Sequence, residues 1–142
     1  MDINECLNLG FLTRIKIDEK LIEKEIKESE YDLKRAATAL EEDDAKWCIV
    51  QSYYSMFHAT RAVLFSLGYK ERRHFAVQIV LENLVRQGKI ENIYLEYFSS
   101  AMDCREGADY HYQYSEEIAE DIVENARKFL DRMKSLLKPN KI

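Results

Sequence analysis

The chain contains three histidines, His58, His74 and His111. Histidine is the side chain whose ordinary pKa lies closest to neutrality, so each of the three is a candidate for moving a proton near pH 7. His111 is the most suggestive, because it follows Arg105 with five residues between them, in the segment Arg-Glu-Gly-Ala-Asp-Tyr-His. The imidazole can take a proton from a 2′-hydroxyl, and the guanidinium can hold the charge that grows on the phosphorus oxygens. The pair Arg105 and His111 is therefore our candidate for catalysis of phosphodiester cleavage.

The same segment also has a purely structural interpretation. In it, Arg105 pairs with Asp109 and holds the connection between two helices in place. Gly107 lies between them, and glycine permits backbone conformations that other residues avoid. We expect Gly107 to interrupt the helical run and to let Arg105 and His111 meet.

Tyrosines surround His111 in the sequence, at Tyr110, Tyr112 and Tyr114. An aromatic ring can stack on a nucleotide base, and a tyrosine hydroxyl can be chemically modified. We therefore include Tyr110 and Tyr112, together with Asp109, among the candidate binding residues.

The other two histidines have two interpretations each. His58 lies one helical turn after Tyr54 and three residues before Arg61. It is either a packed histidine bonded to a neighbouring hydroxyl or carbonyl, or a polar residue of a binding cleft. His74 follows two arginines, where it either defines a surface turn or contacts a phosphate. Tyr54 and His58 complete the set of candidate binding residues.

The sequence lacks the motifs that are typical of metal binding and of nucleotide binding. The histidines and carboxylates have no metal-ligand spacing such as HExxH, and no GxGxxG or GxxxxGKS/T pattern passes through the glycines. We therefore expect no metal site and no cofactor. The three cysteines never occur as CxxC, the first residues are acidic, and no run approaches 18 apolar residues. These features predict a cytoplasmic protein without a membrane segment.

The composition predicts one domain over residues 1–142, with residues 1–16 as an irregular arm or a short turn of helix. The chain has 142 residues, of which 46% are hydrophobic and 33% charged, and its net charge is −5. A negative chain repels polyanions, so binding of nucleic acid requires a local basic patch or an oligomer. Lys70, Arg72 and Arg73 are candidates for such a patch.

Long segments with helical periodicity must position these side chains. Glycines and capping residues divide the chain into five such segments. They are predicted at 18–42, at 44–67, around 77–85 with an end at Gly88, at 90–105, and from Ser115 almost to Pro139. The second is apolar over so wide an arc that we expect it to be the central helix. The sequence thus predicts an all-α protein, an up-and-down bundle of four to five helices.

Two blocks of the sequence resemble a known family, the small prokaryotic HEPN-domain proteins. The first runs from Ser52 to Phe65 as Ser-Tyr-Tyr-Ser-Met-Phe-His-Ala-Thr-Arg-Ala-Val-Leu-Phe, followed by Leu-Gly-Tyr-Lys and by His74. The second comprises Arg105-x3-Asp109-Tyr110 and the Ala-x2-Phe of the last helix, and the resemblance covers approximately residues 15–137. It implies a helical bundle, usually a homodimer, often encoded beside a minimal nucleotidyltransferase (MNT).

The resemblance also implies an activity. Many HEPN members are metal-independent RNases with the signature R-x4–6-H near a dimer cleft, and Arg105 and His111 match it. In toxin members with R-x4-H-x-Y, the partner nucleotidyltransferase modifies the tyrosine. This chain has Gln113 at that position, flanked by Tyr112 and Tyr114.

Three hypotheses for the function follow from the residues and the resemblance. The first is an RNase-like HEPN toxin of a HEPN/MNT toxin–antitoxin pair, whose homodimer supplies two copies of His111 for acid and base roles. The second is a non-catalytic HEPN module that binds a nucleotide or a partner and presents a substrate to a nucleotidyltransferase. The third is a helical dimerisation domain in which the Arg105–His111 segment is structural.

Overall fold

The computed structural model describes residues 1–138, which form six α-helices and two short β-strands. The elements are α1 (Ile3–Asn8), β1 (Leu12–Arg14), α2 (Glu19–Glu41), α3 (Ala45–Ser66), β2 (Tyr69–Glu71), α4 (Ala76–Arg86), α5 (Asn92–Tyr110) and α6 (Glu116–Leu137). The five long helices, α2 to α6, correspond to the five segments predicted from the sequence. The prediction of an all-α helical bundle is confirmed.

Helix α3 is the centre of the bundle and packs against α2, α4, α5 and α6. Fourteen of its 22 residues are buried, which agrees with the wide apolar arc seen in the sequence. The carboxylate of Asp44 caps the start of the helix by accepting a hydrogen bond from the backbone N–H of Trp47. Gly68, with φ of +84°, follows its end in the left-handed conformation that glycine favours.

The crossing of α2 and α3 is built on two serines. Ser29 and Ser55 are fully buried. The Ser29 hydroxyl donates to the Ser55 carbonyl at 2.7 Å, and the Ser55 hydroxyl donates to the Ser29 carbonyl at 2.9 Å. Ser29 interrupts the apolar stripe of α2 in the sequence. The serine that interrupts the stripe is the residue at which α2 contacts α3, because only a small side chain lets the two backbones approach this closely.

The two strands pair as an antiparallel ribbon that the sequence did not predict. Thr13 lies opposite Lys70, and Arg14 lies opposite Tyr69. Each strand has three residues, which is too short for an alternating pattern to be recognised in a sequence. The ribbon joins the N-terminal arm to the segment that follows α3, so the arm is an ordered part of the fold.

Helix α5 continues beyond its predicted end. The sequence predicts an end at Arg105 and an interruption at Gly107, but α5 runs through Gly107 to Tyr110. One glycine costs a helix only about 1 kcal/mol relative to alanine. Ala108, the next residue, is fully buried and packs against the bundle. This packing outweighs the glycine, and the prediction of a break at Gly107 is wrong.

Helix α6 begins where the sequence predicts. The Ser115 hydroxyl accepts a hydrogen bond from the backbone N–H of Ile118 at 3.1 Å and caps the helix. Pro139, near which the sequence predicts the end of this helix, lies outside the described residues. Within residues 1–138, every helix is too short or too polar to cross a lipid bilayer.

Candidate functional site

The site is built around Arg105, which lies in the second half of α5 and faces the central helix. Its guanidinium carbon is 4.9 Å from the centre of the Tyr53 ring and 5.9 Å from that of the Tyr54 ring. The side chain is 15% exposed. A cation at such a distance is attracted to the electron-rich face of an aromatic ring. The two tyrosines therefore hold the guanidinium in place and leave its N–H groups to other partners.

Arg105 is incompletely hydrogen-bonded. Its Nη1 nitrogen lies 3.6 Å from the Oδ2 oxygen of Asp109, a distance that makes an ion pair but is too long for a good hydrogen bond. Its Nε nitrogen is buried and has no hydrogen-bond partner within residues 1–138. Buried donors are nearly always paired in proteins, and an unpaired one at a charged group suits an anionic ligand. The pairing with Asp109 that the sequence suggested is present, but it does not saturate the guanidinium.

His74 is attached to the same platform. Its Nε2 nitrogen lies 2.6 Å from the hydroxyl of Tyr53, and its ring stacks on Phe57 with the ring centres 4.4 Å apart. Burial lowers the pKa of His74, and the positive charge of Arg105 lowers that pKa further. Burial also raises the pKa of Tyr53 to about 12. Both shifts favour a protonated Tyr53 hydroxyl and a neutral His74 ring near neutral pH.

The hydrogen bond between His74 and Tyr53 was not predicted from the sequence. His74 is exposed, as expected of a residue in a surface turn. The side chains of Tyr53 and Phe57 lie one turn apart on α3 and together receive the imidazole. This spacing of two aromatic residues is visible in the sequence. The fact that residue 74 folds back onto them is not.

His111 lies at the end of α5 and is exposed. Its backbone N–H donates to the carbonyl of Gly107, which also accepts from Gln113. Six residues advance a helix by about 600°, so positions 105 and 111 project about 120° apart around the axis. No hydrogen bond or ion pair joins Arg105 to His111 in the described part of the chain. Within one chain, the structure does not bring the two predicted catalytic side chains together.

The tyrosines around His111 are strongly exposed. Tyr110 is 68% exposed, Tyr112 78% and Tyr114 47%. Tyr112 has a φ of 55°, a left-handed conformation that is uncommon for a residue other than glycine. The end of α5 and the segment that follows it thus present three aromatic rings to solvent beside His111.

His58 belongs to a separate network of charges between α2, α3 and β2. Its Nδ1 nitrogen is 2.7 Å from Glu25, and its Nε2 nitrogen is 3.7 Å from Asp32. Arg61 bridges Glu25 at 3.0 Å and Glu71 at 2.9 Å. The partners of His58 are therefore carboxylates, whereas the packed interpretation from the sequence expected a hydroxyl or a carbonyl.

The ion pairs of this network hold α2, α3 and β2 together. Glu25 is only 8% exposed, and burial raises the pKa of Asp32 against the opposing effect of His58. The ring of Tyr54, the other candidate binding residue of α3, lies beside Arg105. Among residues 1–138, no group of three or more His, Cys, Asp or Glu side chains is arranged to hold a metal ion.

Basic residues collect on the ribbon that leads to His74. Five exposed cations lie on the strands or directly beside them: Arg14, Lys16, Lys70, Arg72 and Arg73. Glu71 is the acidic residue of these segments, and its carboxylate is paired with Arg61. In the part of the chain that the structure describes, none of the five cations forms an ion pair. A chain of net charge −5 thus carries a local positive surface.

A groove of about 470 Å³ lies elsewhere, between α2 and the end of α6. Its apolar lining comes from Ile22, Ile26 and Leu137. Lys134 and Glu30 at its edge pair with each other at 2.8 Å. Arg105, Tyr53 and His74 are not among the residues that line this groove, so it is separate from the site at Arg105.

Comparison with known proteins identifies relatives of this chain. The model of the HEPN domain matches residues 22–136. A protein of Methanocaldococcus jannaschii named "Putative toxin" is 32% identical over 113 residues, which cover 78% of this chain and 84% of that protein. A UPF0332 protein of Pyrococcus horikoshii is 37% identical over 79 residues, 55% of this chain and 56% of the relative. A UPF0332 protein of Archaeoglobus fulgidus is 26% identical over 130 residues, 90% of this chain and 95% of the relative. With this match over most of its length, on an all-α bundle whose α5 carries Arg105 and ends at His111, the chain belongs to the HEPN domain family.

Proposed function

We propose that this protein is an RNase-like HEPN protein that cleaves RNA without a metal ion, through Arg105 and His111. One observation carries the proposal. Arg105 is held on two tyrosine rings with a buried Nε that has no partner in residues 1–138, close to the helix end that presents His111. A charged donor fixed in this way is suited to an oxyanion that develops during a reaction.

The proposed reaction is an internal transfer at phosphorus. A general base takes the proton of the 2′-hydroxyl, whose oxygen then bonds to phosphorus. The bond from phosphorus to the 5′-oxygen breaks, and a general acid gives that oxygen a proton. The products are a 2′,3′-cyclic phosphate and a 5′-hydroxyl. Arg105 stabilises the charge on the two non-bridging oxygens, and His111 supplies the proton transfer.

A homodimer would bring together an arginine and a histidine that lie apart in one chain. Because Arg105 and His111 project from different sides of α5, we propose that His111 of one protomer acts beside Arg105 of its partner. Exposed apolar side chains at this end of the bundle support an interface there: Tyr110, Tyr112, Tyr114 and Ile118. Such a cluster on a chain with a third of its residues charged is typical of a protein interface.

The basic ribbon is the surface that we assign to the RNA backbone. Its five cations lie on β1 and β2 or directly beside them, and two of them directly precede His74, so a bound strand would pass close to the platform of Tyr53 and Arg105. Cations without carboxylate partners bind phosphates by releasing condensed counterions, and binding of this kind weakens with added salt. This local surface is compatible with the negative net charge of the whole chain.

We further propose that the protein is the toxin of a toxin–antitoxin pair in the cytoplasm. The relatives named "Putative toxin" support the toxin role. The antitoxin would be an MNT-type nucleotidyltransferase, and the exposed tyrosines beside His111 offer hydroxyls that it could modify. The free thiols of the three cysteines are compatible with a reducing compartment.

The test is cleavage of RNA in the presence of EDTA. Purified wild-type protein is compared with Arg105→Ala, His111→Ala and the control Lys128→Ala, which removes an exposed cation of α6. We expect cleavage by wild type and by the control, and loss of cleavage in the other two. If all four proteins leave RNA equally intact while circular dichroism shows them folded, the nuclease proposal is refuted.

A second candidate function is a non-catalytic module that presents an acceptor group to a nucleotidyltransferase. The observation that favours it is the 78% exposure of Tyr112, on a segment separate from Arg105. The test incubates the protein with a minimal nucleotidyltransferase from a neighbouring gene and labelled ATP. Incorporation that disappears in Tyr112→Phe but persists in Tyr31→Phe, a control tyrosine that is 60% exposed, would support it. No incorporation in wild type would refute it.

A further inference from the structure

Two side chains from different parts of the chain contact Tyr53. Arg105 covers the face of its ring at 4.9 Å, and His74 is bonded to its hydroxyl at 2.6 Å. The ring centres of Tyr53 and His74 are 6.2 Å apart. Tyr53 is fully buried within α3, so it is a rigid support for both neighbours.

Tyr53 contacts Nε2 of His74, and the donor in this bond depends on the tautomer of the ring. A phenol is a stronger acid than the N–H of a neutral imidazole, so we assign the tautomer in which Tyr53 donates to Nε2 and the ring proton lies on Nδ1. Stacking on Phe57, with the two ring planes only 5° apart, restrains the ring further. Nδ1 has no hydrogen-bond partner within residues 1–138. His74 is exposed, so this N–H is available to a ligand.

Arg105 supplies the second donor, since its Nε is also without a partner in the described residues. A neutral imidazole N–H and a guanidinium on one support match an oxyanion, which accepts several hydrogen bonds and neutralises the arginine. The charge of Arg105 is close enough to lower the pKa of His74, which agrees with their proximity.

We propose that His74 and Arg105, both positioned by Tyr53, form a subsite for a phosphate group of the RNA backbone. The identity of this ligand rests on the proposed function, but the site itself is separate from His111. His74 is here a binding residue, and Tyr53 is a positioning residue. Arg72 and Arg73 directly precede His74 and connect the subsite to the basic ribbon, which favours a phosphate within a strand over a free ion.

Binding is measured separately from cleavage by using an oligoribonucleotide whose 2′-hydroxyls are all methylated. This probe keeps the phosphates but lacks the attacking group, so it binds without reacting. His74→Ala is expected to weaken its binding about tenfold, which corresponds to about 1.4 kcal/mol. His74→Asn, which retains an N–H near the position of Nδ1, should recover part of this loss. Tyr53→Phe keeps the buried ring and should weaken binding severalfold by releasing the imidazole.

Two controls identify the ligand and the site. Lys128→Ala removes an exposed cation outside the ribbon and should leave binding unchanged. NMR resonances of the His74 ring should shift in a saturable way with the methylated oligonucleotide, whereas those of His58, which is bonded to Glu25, should not. A shift with inorganic phosphate as strong as with the oligonucleotide, per phosphate, would refute the backbone assignment in favour of a free-phosphate site.

The outcomes separate this proposal from the nuclease proposal. If His74→Ala and Tyr53→Phe bind the methylated probe as tightly as wild type, the subsite is refuted even where wild type cleaves RNA. If wild type leaves unmodified RNA intact but the probe still binds through His74, the subsite stands and the nuclease proposal fails. If neither the probe nor inorganic phosphate shifts the His74 ring, the subsite is refuted outright.

Discussion

Arg105 of α5 lies over the ring of Tyr53, with its guanidinium carbon 4.9 Å from the ring centre. The hydroxyl of the same tyrosine is hydrogen-bonded to His74, 21 residues later in the chain. One buried residue of the central helix thereby fixes both a permanent cation and a neutral imidazole. Changes at Arg105 and His74 should therefore affect ligand binding and catalysis more than they affect folding.

Arg105→Lys tests the geometry of the charge. Lysine keeps the positive charge but lacks the planar fork of N–H groups, so it cannot make the same pair of bonds to a phosphate. We expect RNA cleavage to fall by about a hundredfold or more, which is typical for loss of an oxyanion donor. The free energy of unfolding in urea should change by only about 1 kcal/mol, from the weaker interaction with the two tyrosines. A variant that cleaves RNA at the wild-type rate would show that positive charge alone is sufficient.

Tyr53→Phe tests the pH dependence of stability. Folding raises the pKa of Tyr53 from 10 to about 12, so this tyrosine favours the folded state fully below pH 10. Its contribution is lost as the pH rises from 10 to about 12. Two pKa units correspond to about 2 to 3 kcal/mol. The free energies of unfolding of wild type and Tyr53→Phe should therefore converge in this range.

The matched control is Tyr31→Phe, which removes a hydroxyl from a residue that is 60% exposed. Its free energy of unfolding should follow that of wild type at every pH. Curves for wild type and Tyr53→Phe that stay parallel above pH 10 would contradict the buried position of this hydroxyl.

Glu25→Ala tests the network of charges at His58. It leaves the half-buried charge of Arg61 with Glu71 alone and removes the 2.7 Å contact of His58. Removal of one partner from a buried ion pair typically costs about 3 to 5 kcal/mol, and the partial exposure of Arg61 places our expectation near the lower value. The measurement is urea denaturation at neutral pH.

Glu124→Ala is the control for this experiment. Glu124 pairs with Arg127 on the outside of α6, where both side chains are about half exposed. An exposed pair of this kind contributes about 0.5 kcal/mol. Equal losses of stability in the two variants would contradict a special role for the buried network.

Ser55→Leu tests the close crossing of α2 and α3. The buried space between Ser29 and Ser55 holds only two hydroxyls, so a leucine must separate the two helices. Overpacking of this kind costs about 3 kcal/mol, and two buried hydrogen bonds are lost with it. Ser55→Ala, which removes only the hydroxyl, should cost about 1 kcal/mol in the same urea denaturation. A leucine variant as stable as the alanine variant would show that the two helices can separate freely.

Ile118→Asp tests the proposed dimer. Ile118 is 39% exposed in the first turn of α6, where an acidic side chain suits the helix N-terminus. The variant should therefore fold as wild type does but dissociate, which analytical ultracentrifugation measures. Wild-type protein that sediments as a monomer at micromolar concentration would refute the shared cleft of Arg105 and His111.

Local patterns in the sequence were sufficient for the bundle and for the central position of α3. Apolar spacing, the capping residues Asp44 and Ser115, and the glycines after the helices depend on interactions within a few residues of the chain. The candidate residue Arg105 was recognised because its type and its distance from His111 match a pattern. The prediction of a break at Gly107 also used only local pattern. It was wrong because the burial of Ala108 depends on helices that are distant in sequence.

The amino-acid sequence by itself therefore determined the helices, the fold class and the candidate pair, because these follow from local periodicity and residue chemistry. Only the tertiary structure decided which groups surround Arg105. The contact of Tyr53 with His74 and the pairing of β1 with β2 join residues far apart in the chain. They form because α3 packs against α5 and because the segment after α3 folds back over the buried rings of α3. A local sequence pattern does not predict either arrangement.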